Sequence, residues 1–199
     1  MKILKYILNI FLLFVSIISL QCAQPSNFKF KNSGLEVNKT IYIDKNFNIN
    51  ETKYIEIAAH EWQTSTNNIV QYKIVTEINI DKFNIPNKSS SIVIKKTNSL
   101  SKEVIFYDNK ARTIIGYCER DKVPINILIV TDRIDSKETF ISVVIHELGH
   151  SLGMNHNPVK YTLMYHTIDY SSYHITYEDM ILFCDIYKCK ANEMNIIKD

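Results

Sequence analysis

Apolar positions recur along this chain in two rhythms, one helical and one extended. Ile55, Ala58, Ala59 and Trp62 follow one another at three- and four-residue spacing, which places them on a single helix face turned toward a core. Asn50 is positioned to cap that helix with Glu51 in its first turn, and His60 falls on the opposite, solvent-facing side. Phe140, Val143, Val144, Leu148 and Leu152 repeat the spacing, and Ile141 and Ile145 carry the apolar surface almost all the way round. Such a helix belongs at the centre of a fold. Asp135 with Glu138 reads as its capping box, and Thr176 caps a last helix bearing Met180, Ile181, Phe183 and Tyr187. Extended segments are predicted at Thr40–Ile43, Ile69–Val75, Ser91–Lys95 and Arg112–Cys118, each rich in β-branched or aromatic residues. A polar surface loop is expected near Asn98 to Lys102, and the nearly continuous apolar run Ile125–Val130 reads as a buried strand.

The N-terminus departs from both rhythms. Lys2 and Lys5 precede Ile7–Leu20, which is apolar apart from Asn9 and two serines, so residues 1–22 read as a signal peptide too short to span a bilayer comfortably. An uncleaved anchor is the alternative. Cys22 follows the apolar run directly, as at a bacterial lipoprotein site, and lipidation there stands beside ordinary cleavage near Ala23. Either route exports the chain, so a secreted or cell-surface location is expected, with membrane contact only through the signal segment or a lipid on Cys22. Residues 23–38, with Pro25, Ser26, Ser33 and Gly34, read as a tether, 39–190 as one catalytic domain and 191–199 as a tail.

Composition adds mainly exclusions. The 199 residues suffice for one well-filled core, and a net charge of +2 with scattered lysines gives no basic field for nucleic acid. Export permits disulfides, and beyond Cys22 the chain holds Cys118, Cys184 and Cys189, enough for one bridge. Cys184 and Cys189 would point about 140° apart on a continuous helix, so their bridge requires the helix to end between them. A bridge from Cys118 to either is equally open.

The chemistry concentrates in His146-Glu147-Leu148-Gly149-His150 and the segment ending at His156. Four residues make about one helical turn, so His146 and His150 project from one face and can grip one metal ion. Gly153 can take the left-handed conformation that ends the helix, letting the following segment bring His156 to the same ion. Three neutral ligands leave a fourth position open, the pattern of catalytic zinc. Glu147, beside the ligands but not one of them, is then the expected general base for a metal-activated water.

This run is the metzincin signature, and eight residues after His156 the segment Tyr161-Thr162-Leu163-Met164-Tyr165 resembles the Met-turn that lies beneath the zinc. The short gap and the Leu-Met-Tyr wording resemble the matrixin branch. Asn157 and His166 differ from it, standing where matrixins usually carry Ser and Pro. The resemblance implies an α/β (α+β) zincin domain: a twisted mixed sheet of about five strands, three main helices and a short C-terminal subdomain after the zinc helix. It further implies Trp62 on a helix behind the sheet and Asp179 anchoring the last helix near the Met-turn. Arg112–Cys118 becomes an edge strand for peptide substrate, with Gly116 admitting the substrate backbone. Tyr165 would join the wall of the specificity pocket, and His166 stands where astacins and serralysins carry a zinc-side Tyr. The matrixin cysteine-switch prosegment and the extra histidines of a structural zinc site are missing. The expected activity is zinc-dependent endopeptidase action on protein or peptide by a monomer; one catalytic zinc is the cofactor, and calcium is left open. The alternative is a surface-exposed binding protein that keeps the zinc fold and cleaves little.

Overall fold

A computed structural model describes residues 36–167 except 112, and 173–196; the side chains of 109–111 are also outside the description, as are the signal segment and Cys22. Five strands form one sheet: β1 (Val37–Asp44), β2 (Val70–Ile78), β3 (Ser91–Thr97), β4 (Gly116–Glu119) and β5 (Ile125–Val130). Their order is β2-β1-β3-β5-β4, parallel throughout except for β4, which runs antiparallel to β5 at the edge. Among the described residues four α-helices accompany them: α1 (Ile49–Ser65), α2 (Lys102–Ala111), α3 (Lys137–Ser151) and α4 (Tyr177–Tyr187).

Parallel strands are covered on both faces, which explains their nearly unbroken apolar runs. Ile41, Ile43, Ile92, Ile94, Ile127 and Ile129 are fully buried across β1, β3 and β5. Behind them Trp62 of α1 is also fully buried, and its indole Nε1–H donates to the Ile145 carbonyl of α3 at 2.9 Å. That bond ties the first helix to the central one. Twelve of the fifteen residues of α3 are buried, as its all-round apolar pattern predicts.

Several local expectations are corrected. The cap of α1 is Asn48, not Asn50: its side chain accepts from the Asn50 and Glu51 amides, while Glu51 Oε2 accepts from the Asn48 amide at 2.7 Å. The cap of α3 is Ser136, whose Oγ accepts from the Thr139 amide at 3.1 Å, so Asp135 lies outside the helix. The polar stretch near Asn98 runs into α2, which the sequence reading missed. Val104 buries fully while its neighbours Ile105 and Phe106 stay exposed, blurring the helical period. Strand β4 starts only at Gly116, because the Ile114 amide donates to Asp108 Oδ1 at 2.9 Å instead of to a sheet partner. Arg133 completes that tie, pairing with Asp108 and donating to the Ile114 carbonyl.

The cysteine alternatives resolve to Cys184–Cys189, with Cys118 free. Helix α4 stops at Tyr187 and Lys188 takes φ 55°, so the chain turns between the two sulfurs as their bridge demands. The segment expected as a tail packs back on α1, the Asn195 amide donating to the Ser65 carbonyl at 3.2 Å and Asn67 Nδ2 to the Glu193 carbonyl at 2.6 Å.

Candidate metal centre

Helix α3 delivers His146, Glu147 and His150, and its end delivers the rest. Leu152 caps the helix and Gly153 reverses the chain at φ 90°, a conformation a side chain would oppose. The reversal returns the Met154 carbonyl to His150 Nδ1 at 2.8 Å and brings His156 alongside. Asn157 follows, buried; its amide donates to the Met164 carbonyl at 2.7 Å and its Oδ1 accepts from the Val159 amide at 3.0 Å. This Asn side chain thus closes a local turn of the kind short polar residues make.

Beneath the histidines, Met164 is fully buried. A Cβ on Gly149 would collide with Met164 Sδ and come within 3.1 Å of Trp62 Cζ2, so the glycine of the motif is required by the close passage of the Met-turn under α3. Asp179, itself fully buried, accepts from the Leu163 amide at 2.9 Å and the Met164 amide at 3.1 Å. The Leu163 carbonyl faces the other way, accepting from His146 Nδ1 at 2.7 Å.

Those carbonyls fix the imidazole tautomers. An acceptor can be paired only with an N–H, so Nδ1 of His146 and of His150 carries the proton and each Nε2 keeps its lone pair. One ligand atom from each of His146, His150 and His156 lies within 4.8 Å of the others, and the His150 and His156 Nε2 atoms are 3.2 Å apart. Two nitrogens bound about 2.0–2.1 Å from a tetrahedral zinc stand about 3.3 Å apart, so this spacing suits that ion. Burial pushes the His146 pKa down to about 3, helped by His150, and also lowers those of His150 and His156. All three are therefore neutral ligands at pH 7. Among the described residues this is the cluster of histidine, cysteine and acidic groups able to hold a metal.

Glu147 completes the centre. It is 5% exposed, its Oε2 has no hydrogen-bond partner among the described residues, and burial pushes its carboxyl up to about 8. A desolvated carboxylate without a partner is costly, and a nearby dication would offset that cost. The donor set and this carboxylate together fit a catalytic zinc.

In the metal-free protein these shifts pull stability in opposite directions. The histidines have folded values below the ordinary 6.5, so the unfolded chain binds more protons and stability falls as pH drops through that value. Glu147 has a folded value near 8 against 4.5, so stability falls as pH rises from 4.5 toward 8. Between those limits three histidines outweigh one carboxyl below 6.5, and Glu147 alone acts above it. Thermal unfolding in chelator should therefore give a Tm maximum near pH 6.5. A Tm that climbs steadily to about pH 8 contradicts this balance.

The histidines open into a cleft of about 550 Å³ whose far wall is β4 and whose rim includes Arg120, His166 and Thr167. His166 is exposed there, its ring 6.4 Å from that of His156. Tyr165 is half-buried with its ring 4.3 Å from that of His166, and is not among the residues lining the cleft. At Gly116 a Cβ would lie 2.7 Å from Glu147 Oε1 and 2.7 Å from Val143 Cγ1. The missing side chain thus makes room for α3 and its carboxylate, and Gly116 also lines the cleft. His60 is exposed on α1, near Thr64, as its helical phase predicts. Arg120 and Cys118 were not read as cleft residues. Alternation along β4 signals Cys118, which shares a strand face with Gly116, whereas Arg120 lies in the turn that follows the strand.

Comparison with known proteins agrees with this geometry. A family model described as matrixin matches residues 38–188. The crystal structure of archaemetzincin from Methanopyrus kandleri is similar, with a TM-score of 0.54 at 13% identity over 79% of this chain and 98% of that one. At that identity the likeness speaks for the fold. No curated protein sequence matches.

Proposed function

We propose, for a chain that belongs to the matrixin family of zinc metallopeptidases, that it is an exported endopeptidase in which Glu147 is the general base. The observation that carries this reading is the unpartnered Glu147 carboxylate, held in the same cleft wall as three convergent histidines. His146, His150 and His156 would hold zinc, and zinc in such a site polarises a carbonyl and brings a water proton within reach of neutral pH. Glu147 takes a proton from the attacking water on its carboxylate and later gives it to the leaving amine. Its burial keeps bulk water from competing for that proton. The Leu163 and Met154 carbonyls hold two of the imidazoles in the tautomer that leaves Nε2 free. Strand β4 is a sheet edge with one side unpaired, and an extended peptide added to it would lie across the cleft facing Glu147.

Turnover of quenched peptides blocked at both ends tests the activity, since only internal cleavage registers. Cleavage confined to unblocked ends would contradict endopeptidase action. In the same assay His166→Ala should lower kcat with little change in KM if the exposed imidazole donates to the developing oxyanion, by on the order of a hundredfold. Wild-type kinetics would leave His166 a surface residue. Export is tested by intact mass of the mature protein: a diacylglyceryl-bearing Cys22 in detergent extracts or a soluble start near Ala23 agrees with it, and a mature chain that still begins at Met1 contradicts it.

A further inference from the structure

Among the described residues the cleft has one cationic side chain that the chemistry above does not use. Arg120 lies in the turn directly after β4 and lines the cleft with Gly116 and Cys118, so this edge runs from Glu147 to the loop that carries the third histidine. There its Nη1 donates to the Asn155 side-chain oxygen at 2.9 Å and the Met154 carbonyl at 3.3 Å. Both acceptors are neutral. Arg133, by contrast, is matched by the Asp108 carboxylate at 2.7 Å. Among the described residues no carboxylate pairs with Arg120.

Glu147 is not paired with it either. Arg120 lines the same cleft as His150 and His156. The side chain is thus close to the reacting end of the cleft, anchored through one nitrogen, with no partner among the described residues for its remaining N–H donors. A guanidinium held in that way is suited to take a carboxylate by two parallel hydrogen bonds, and the low-dielectric wall beside it strengthens the pairing.

We infer that Arg120 is a specificity-determining residue that binds a carboxylate of the peptide substrate. The inference rests on the peptidase reading for the identity of the ligand as a peptide. Spacing along a strand places that carboxylate within about four residues of the bond facing Glu147. It comes either from an acidic side chain or from the substrate's own C-terminus.

Binding to the full chain carrying Glu147→Ala, in which turnover is blocked, separates the possibilities. Labelled peptides hold one Glu moved along a neutral sequence, with Gln twins, and each is made with a free and with an amidated C-terminus; fluorescence anisotropy gives Kd. The expected result is about tenfold tighter binding of a carboxylate peptide than of its neutral twin. Position dependence of the internal Glu identifies a side-chain ligand, and a gain confined to the free terminus identifies the terminal carboxylate. Adding Arg120→Gln should abolish the preference, and Arg120→Glu should turn it toward Lys-containing peptides, which loss of a merely structural contact would not do. Arg120→Lys, which keeps the charge and loses the fork, should retain part of it. Equal binding of the twins, no binding of any peptide, or a preference that survives Arg120→Gln overturns the inference. A wild-type protein that shows the preference yet cleaves no blocked peptide would sink the endopeptidase reading and leave the carboxylate site standing.

Discussion

Glu147→Ala is expected to bind one zinc per chain as the wild type does, while turnover falls by on the order of a thousandfold. The residue sits one position from a ligand, yet its side chain is outside the convergent set, so the histidine geometry does not depend on it. Stability should not suffer. The buried Oε2 has no partner to lose, and removing an unpaired carboxyl from an enclosed site relieves a desolvation cost. Zinc content, Tm and peptide turnover measured on one sample check all three statements. Loss of zinc in the variant would instead make Glu147 a ligand, and undiminished turnover would remove it from the chemistry.

Asp179→Ala should have the second large effect, on both stability and metal. The fully buried carboxylate accepts from the Leu163 and Met164 amides, from the Thr176 amide at 3.2 Å and from Thr176 Oγ1 at 2.8 Å. Alanine leaves these donors without an acceptor. At about 1–3 kcal/mol for each buried orphan, a loss of about 3–5 kcal/mol is expected. Because the Leu163 carbonyl orients His146 from the same turn, zinc affinity should fall about ten- to hundredfold as well. Denaturant unfolding and competition with a chromophoric chelator give the two numbers. An affinity unchanged in a destabilised variant would show that the Met-turn holds its shape without Asp179.

What the sequence made legible was whatever a short repeat could encode. The spacing of His146, His150 and His156, the reversal at Gly153 and the burial of α3 all follow from local patterns, and each stands in the structure where it was expected. The reasons that cross the fold were hidden. Gly149 reads as one more motif residue until Met164 is seen filling the space a Cβ would need, and the packing of Gly116 against Glu147 is equally invisible in the sequence. Helix α2 escaped because two of its apolar residues face solvent, and the caps of α1 and α3 shifted by one or two positions because several polar residues compete for each start. Arg120 was not singled out, because it lies in the turn after β4, and its bonds to Met154 and Asn155 are what put it on the cleft.

The most direct measurement of the central claim is a zinc titration of the chelator-stripped protein, with bound metal and cleavage of an end-blocked peptide followed together. The account predicts that turnover is absent without metal, rises in proportion to zinc bound and reaches its plateau at one ion per chain, with His146→Ala removing both. Cleavage that persists in the stripped protein, or a fully zinc-loaded protein that cleaves no peptide, would contradict it.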